Sequence, residues 1–567
     1  MLRSNLKTTV LAILVYVVLA ILFLYPLSKL MVAAFSRNGM FSLTNFTEIF
    51  TNKSNLSALW NSIYVGVVVT FFSTVIGFIL SWLVVRTNLR GRRFFRFVLV
   101  MPFYIPPFIM AFAWTRLLGR AGYVNVMLQK MFGLMAPPIS IYGALGVILV
   151  SVIYTYPYAF IAISKSMENI GAHLEEAAQI SGASKLQVLR QIVLPVLLPA
   201  VGSAAVIVFV TTVSMFGIPS IMGTPGKFIV TTTRIYGYVG GFRDPNGMGI
   251  ATALSMALLG LALIGLLLQN FFTRKQHFTV ITGKSAPIEV TDLRGWNIPL
   301  TILVGLFVFI VLIAPVGAVT LTSVMQALGL AIRPENLTMA HYARLFEMPL
   351  MLRSLRNSFF LALTVPTIAV VGAVILTFIK RQNRMPGRHL IDYIVSLPYA
   401  IPGIVIGVAM ILAWIKPVFG ISIYNTIWIL FLAYIVRFMI FPMRTIGSAW
   451  KQLDVSLEEA GRISGASEGR TLKDISAPLV LPGILSGWLL AFMPALTELT
   501  LSILLYSPGN ETIGVTAFNV MQEGLVTVAG AYAMIIVVVV VGLNVAMSLV
   551  SQRKARRSKI IKLEMEN

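Results

Sequence analysis

Two pairs of adjacent glutamates, Glu175-Glu176 and Glu458-Glu459, and one isolated acid, Glu498, carry most of the chemical potential of this chain. Paired carboxylates can act as general acid and base, hold a hard cation, or orient a basic partner through charge-assisted hydrogen bonds. The first two uses need further groups nearby. The chain has four histidines and no cysteine, His277 and His341 fall in polar connections, and no Ser/His/Asp arrangement or His/Asp/Glu cluster with ligand spacing accompanies the acids. Gly283-Lys284-Ser285 looks like the end of a phosphate-binding loop, but the first glycine of such a loop would stand at position 278, where the residue is Phe278, and no strand precedes it. No catalytic residue and no cofactor site is expected. The glutamate pairs are then either solvated surface acids or groups that orient a basic partner.

Both pairs sit in the same local pattern. The first reads Glu176-Ala177-Ala178, then Gly182, then Ile192-Val193-Leu194-Pro195; the second reads Glu459-Ala460-Gly461, then Gly465, then Ile475-Ser476-Ala477-Pro478. The offset is 459 − 176 = 283 residues, about half the chain. Met167, Ile170, Leu174, Ala177 and Ile180 recur at helical spacing, as do Leu453, Leu457, Ala460 and Ile463, so each copy predicts a short helix with one apolar face. Gly182 and Gly465 suit the left-handed residue that ends a helix. Ser184 can cap the next helix with Gln187 as its capping-box partner; in the second copy Ser467 can cap, with Arg470 in the partner position.

This pattern resembles the EAA loop of bacterial ABC importer permeases. The first copy fits at every position, and the second departs at Gly461 and Ala477. The resemblance implies that the first helix of each loop is a coupling helix that docks in a groove of a separate cytoplasmic ATPase. Glu175, Glu176, Ala177 and Gly182, and Glu458, Glu459, Ala460 and Gly465, would then be ATPase-coupling residues, with ATP bound by the partner subunits.

The elements that hold these loops are apolar. Of the 567 residues, 57% are hydrophobic and 11% charged, and the mean hydropathy is +0.88, which marks an integral membrane protein. The net charge of +24 would suggest nucleic acid in a soluble chain, but the basic residues lie between apolar spans and follow the positive-inside rule instead. Spans are predicted over 9–35, 59–85, from 98 onward, 141–163, 196–216 and 248–271, then 297–323, 356–379, 391–415, 424–442, 479–504 and 528–550. Arg86, Arg90, Arg92, Arg93 and Arg96, with Lys380, Arg381, Arg384 and Arg388, mark the cytoplasmic side. Both loops and both termini are expected on that side, in a bacterial inner membrane. Prolines at Pro102, Pro106 and Pro107, and at Pro398 and Pro402, should kink or unwind the third and ninth spans.

The halves align at Asn61-Ser62 with Asn357-Ser358 and at Ile105-Pro106 with Ile401-Pro402, an offset of 296. The difference from 283 is 13 residues, a deletion between the third and fourth spans of the second half, where 416–423 replaces the longer 118–140. The expected organisation is therefore an all-α membrane protein of about twelve spans in two parallel six-helix repeats, the type I ABC importer permease fold. Residues 1–272 form the first repeat with its loop at 165–195, 273–296 a cytoplasmic linker, 297–552 the second repeat with its loop at 443–478, and 553–567 a basic tail.

The fused format, with Phe216-Gly217-Ile218-Pro219 and Thr497-Glu498-Leu499-Thr500 running on to Ser507-Pro508-Gly509, resembles ferric-iron permeases of the importer class; related permeases for thiamine, 2-aminoethylphosphonate and polyamines share these signatures. The resemblance implies a homodimeric ATPase and a periplasmic or lipid-anchored substrate-binding protein as partners, besides membrane lipid and without nucleic acid. Glu498 is the candidate pathway residue, since an acid in an apolar span faces a cavity or a partner; a structural hydrogen-bonding acid near the membrane edge is the other reading. An ion-gradient-driven secondary transporter accounts for the hydropathy and the repeat but not for the two loops.

Overall fold

The computed structural model describes residues 13–170, 178, 180–241, 245–274, 290–381, 387–418 and 420–545. Among them, ten helices are long and apolar enough to cross a membrane, and two bent helix pairs raise the number of crossings to as many as twelve. Each of the twelve expected spans coincides with one of these ten helices or with one of the two bent pairs. Several helices run past the predicted ends, as in Lys53–Arg86, Pro349–Lys380 and Ile427–Lys451. Hydropathy marks only the lipid-immersed part, while intrahelical hydrogen bonds let the helix continue beyond it. The span expected over 479–504 stops at Leu496, before Glu498.

Proline shapes these helices in two ways. Five helices contain a turn one residue wider than usual: Ala20–Leu24, Leu189–Val193, Pro219–Gly223, Phe309–Ile313 and Leu472–Ser476. Each is followed, two residues on, by Pro26, Pro195, Pro225, Pro315 or Pro478. The residue before each proline donates its N–H five residues back, as Leu194 does to the Leu189 carbonyl and Ala477 to the Leu472 carbonyl. A proline ring cannot donate and would press on the carbonyl four residues earlier; widening the turn removes the clash and keeps the helix continuous. Elsewhere the helix breaks. Arg92–Tyr104 meets Pro107–Phe132 at 99°, and Arg388–Ala400 meets Gly403–Trp414 at 109°. Side chains bond carbonyls in these bent pairs: the Tyr156 hydroxyl donates to Leu99 O at 2.8 Å, and the Arg437 guanidinium donates to Ile401 O and, at 3.1 Å, to Pro398 O, which also accepts the Ile401 N–H at 3.2 Å.

Two compact units are present, and they divide the chain differently from the sequence repeats. One comprises Met1–Leu59, Thr231–Leu263 and Met348–Phe518; the other comprises Trp60–Val230, Ile264–Glu347 and Asn519–Asn567. Each thus takes its opening helix from the other half of the sequence. In the first unit Tyr25 of Ile13–Ala34 meets Trp414 edge-on at 5.9 Å. In the second, Val304 and Val308 of Arg294–Val324 share a buried cluster with Leu80, Val84, Leu99, Tyr156 and Phe160. Within that unit Lys53–Arg86 approaches Ala144–Glu168 closely: a Cβ on Gly77 would come 2.7 Å from the Ala159 Cβ, and Ser73 bonds Thr155 at 2.8 Å. Small residues and hydroxyl pairs are what helix contacts in lipid favour.

The last residues of the linker latch onto the end of the second span and the connection that follows it. Thr291 donates to Arg86 O at 2.9 Å and Asn88 N–H to Thr291 O at 3.2 Å. The Asn88 carboxamide donates to Asp292 Oδ1 at 2.6 Å and accepts from Leu293 N–H at 3.0 Å, and the Asn297 amide donates to Asn88 O at 2.8 Å. The Arg294 N–H and the Asn88 amide hold the Asp292 carboxyl below its ordinary pKa. The side-chain bonds of Asn88 and Asn297 are exposed, so water competes for each and the latch is a modest stabiliser. Asn88→Ala is expected to lower the thermal midpoint of the detergent-solubilised chain by about 2–4 °C, from a loss of about 1 kcal/mol. Intrinsic tryptophan fluorescence measures it, and an unchanged midpoint would show that the latch adds no stability.

Candidate functional site

The second loop is a helix, Val455–Ile463, a sharp turn and a second helix; most of the first helix of the first loop lies outside the described residues, but the turn has the same hydrogen bond in both copies. Ala183 N–H reaches back to Ala178 O at 2.9 Å, and Ala466 N–H to Gly461 O at 3.0 Å. Gly182 stands between the first pair at φ +87° and Gly465 between the second at φ +86°. This six-residue closure around a left-handed residue is the Schellman motif. No heavy atom lies within 4 Å of a Cβ built on either glycine, so backbone conformation, not space, selects glycine. The expected capping box is present in the first copy: Ser184 N–H donates to Gln187 Oε1 at 2.7 Å, and Gln187 N–H to Ser184 Oγ at 3.3 Å. In the second copy Arg470 N–H donates to Ser467 Oγ at 3.4 Å, and the Arg470 side chain pairs with Asp474 at 3.4 Å. The departure at Gly461 has a local cause, since a Cβ there would meet Ile475 Cδ1 at 2.6 Å.

Glu175, Glu176 and Ala177 lie outside the described residues. In the second copy the two acids point different ways. Glu459 and Ala460 are exposed. Glu458 is only 6% exposed, and its Oε1 accepts from Trp450 Nε1 at 3.2 Å and from Ser476 Oγ at 2.8 Å. Glu458 thereby ties the loop helix Val455–Ile463 to the helices on both sides of it. The residues 283 positions before Trp450 and Ser476 are Met167 and Val193, neither of which has a comparable donor.

The apolar face of each loop helix is only partly covered by the chain. The single helical face expected from Met167 to Ile180 is interrupted: Met167 belongs to the span Ala144–Glu168, which ends before Ile170, and both residues are buried, whereas Ile180 is 88% exposed; in the second copy Leu457 is 45% and Ile463 87% exposed. Ile180 and Ile463 hold corresponding positions, 463 − 180 = 283 residues apart. Periodicity placed them on the apolar face but carried no information on what covers that face.

Glu498 sits in the turn that leads from Ala477–Leu496 to Ser502–Leu505. Its Oε1 accepts from Leu501 N–H at 2.8 Å, Arg437 is the cation that acts on it, and part of the side chain remains exposed. Beside it the Tyr434 hydroxyl bonds Ser502 Oγ at 2.6 Å. Neither Arg437 nor Tyr434 was singled out by the sequence, because an arginine at the end of an apolar helix reads as a boundary residue. The Gly-Asn-Glu-Thr continuation at 509–512 is held from Pro349–Arg381: Asn357 donates to Gly509 O and Glu511 O at 3.2 and 3.0 Å, and Ile513 N–H donates to Ser358 Oγ at 2.7 Å. Burial pushes the Glu511 carboxyl up, but the forked bonds from Arg353, at 2.9 and 3.1 Å, and the Gly509 N–H outweigh it and hold the group below the usual carboxylate range. Asn61 makes the matching bond in the first half, to Ile229 O at 2.9 Å. Among the described residues no group of three His, Cys, Asp or Glu is placed to hold a metal ion.

Truncating Glu458 would strand two buried donors. Glu458→Ala is expected to cost about 1–3 kcal/mol, read as a lower thermal midpoint, while Glu459→Ala, at an exposed site, should stay within about 0.5 kcal/mol of the parent. Equal midpoints for the two variants would overturn the anchoring role of Glu458.

Comparison with known proteins places this architecture. The family of binding-protein-dependent transport system inner membrane components matches twice, over residues 73–277 and 369–559. The ferric transport system permease protein FbpB of Actinobacillus pleuropneumoniae is 27% identical over 526 residues, covering 92% of this chain and 74% of the relative. A probable ABC transporter permease, y4fN of Sinorhizobium fredii, is 25% identical over 96% of this chain and 95% of its own length. A putative 2-aminoethylphosphonate transport system permease, PhnU of Salmonella typhimurium, is 29% identical over 39% of this chain and 78% of the relative. The two family matches contain both loops and together take up most of the chain, which belongs to the binding-protein-dependent transport system inner membrane components and is a multi-pass ABC importer permease carrying two copies of that domain.

Proposed function

We propose that the chain forms the translocation pathway of an importer for ferric iron, driven by two copies of one ATPase subunit docked on its two loops. The observation that carries the docking reading is the matched exposure of Ile180 and Ile463 on a rigidly capped turn. Burying such a side chain in a partner contributes about 1.5–3 kcal/mol, and two such side chains in corresponding register fit two identical grooves. Glu459 and Ala460, and in the first copy Glu175, Glu176 and Ala177, flank these anchors and orient the partner's basic groups; Glu458 positions its loop from within. Gly182 and Gly465 present the ridge at a fixed angle. ATP belongs to the partner subunits, and the permease itself binds no cofactor and catalyses no reaction. Both loops and both termini face the cytoplasm of a bacterial inner membrane, while a periplasmic or lipid-anchored binding protein delivers cargo to the other side.

The iron reading rests on the relatives that span most of this chain, three of which are named as ferric-iron transport permeases, one of them as putative. Glu498, an oxygen donor with a cation beside it, suits a hard cation in passage rather than one held tightly. Reconstitution with the ATPase and candidate binding proteins tests cargo and mechanism together. Iron-loaded binding protein should stimulate ATP hydrolysis, and thiamine-loaded or 2-aminoethylphosphonate-loaded protein should not; stimulation by either of the latter moves the cargo assignment. Ile180→Asp with Ile463→Asp is expected to lower stimulated hydrolysis at least about tenfold, the equivalent of 1.4 kcal/mol of docking, and to abolish copurification of the ATPase. Full coupling in that variant would overturn the docking ridge.

A further inference from the structure

The segment that the first half has and the second lacks is built, not merely long. Residues Tyr123–Phe132 form a helix closed by Gly133 at φ +65°. Asn125, fully buried, pins the whole insert: its amide donates to Leu118 O, Gly119 O and Ile139 O at 3.1, 2.8 and 2.8 Å, and its Oδ1 accepts from Ile139 N–H at 3.1 Å. What this staple holds outward is apolar. Met127, Met131, Phe132 and Met135 are 52%, 63%, 65% and 104% exposed, and every residue from 131 to 140 is exposed.

The depth of the insert is fixed at both ends. The Tyr123 hydroxyl bonds Thr322 Oγ1 at 3.0 Å, two residues from the end of the span Arg294–Val324. At 1.5 Å per residue that is about 3 Å from the helix end. The chain re-enters a span at Ala144, where Leu145 is 69% exposed on the outside of Ala144–Glu168. The apolar face therefore runs on from the exposed start of Ala144–Glu168, at the end of that helix away from its EAA loop. Charge points the same way: between Gly119 and Gly143 there is no acid, while Arg120 and Lys130 are exposed.

We infer that residues 119–143 are an interfacial anchor, with Met127, Met131, Phe132 and Met135 immersed at the headgroup level of the bilayer and Arg120 and Lys130 meeting lipid phosphates. An apolar stripe flanked by cations at the boundary is the pattern of helices that lie in the membrane plane, and the flexible methionines suit a surface without fixed shape. This inference depends only on the membrane spans, so its failure would leave the importer reading intact.

The chain contains no cysteine, so single cysteines can be spin-labelled without removing others. Met131→Cys, Met135→Cys and Lys130→Cys in the full-length protein are placed in nanodiscs of phosphatidylethanolamine and phosphatidylglycerol, and collision with oxygen is compared with collision with a water-soluble nickel chelate. Oxygen should exceed nickel several-fold at positions 131 and 135, with the order reversed at 130. Nickel collisions dominating at 131 and 135 would overturn the anchor, and so would nickel access that falls only when the substrate-loaded binding protein is added, which would make this face a protein-docking surface. Met127→Cys and Phe132→Cys repeat the reading if a label at 131 or 135 alters the elution of the purified protein.

Discussion

A peptide carbonyl with no partner inside a bilayer costs several kcal/mol, because no water is there to replace the lost bond. The fold answers that constraint at each proline. Where the helix must stay continuous, it widens by one residue and the N–H before the proline reaches five back, as at Leu194 and Ala477. Where the helix turns through about a right angle, side chains from a neighbouring helix bond carbonyls of the bent pair. Tyr156 does so for Leu99, and Arg437 for Pro398 and Ile401. The bent spans are thus held open by specific donors. They in turn carry the segments that follow the fifth span of each half: Gly217 packs against the Phe108 backbone in one unit, and Gly403 against Thr500 in the other.

The same economy of partners shapes the loops. A short helix projecting from a membrane domain has little of its own sequence to pack against, so its geometry has to be fixed by caps. The Schellman closure at Gly182 and Gly465 and the caps at Ser184 and Ser467 supply that. Once the turn is fixed, Ile180 and Ile463 beside it are left exposed.

How much of this was legible beforehand follows from which interactions are local. Helix spans, the glycine turns and the capping box rest on residues within a turn or two of each other, and the sequence displays them directly. The breaks at Pro106 and Pro402 were legible, but their angles were not, because these depend on what the next helix packs against. Asn61 and Asn357 were visible as repeat markers, yet their task of holding a loop more than 150 residues away could not be read from spacing. Glu458 and Glu459 are chemically identical in the sequence and adjacent in the chain. Only the position of Trp450 and Ser476 in space turns one inward and leaves the other out. The exchange of opening helices between the compact units has no local signature at all.

Arg437 and Glu498 have no charged counterparts in the first half, where the residues 283 positions earlier are Tyr154 and Met215. Two identical subunits encoded by one gene must accept every substitution twice, so an ionisable group placed in lipid brings its desolvation twice. A fused gene is free of that symmetry. Each half can drift separately, one keeping a charge that the other has replaced by an uncharged residue, and selection can act on the sum of the two. Arg437 and Glu498 stand in one half alone, so the duplication is asymmetric at these two positions.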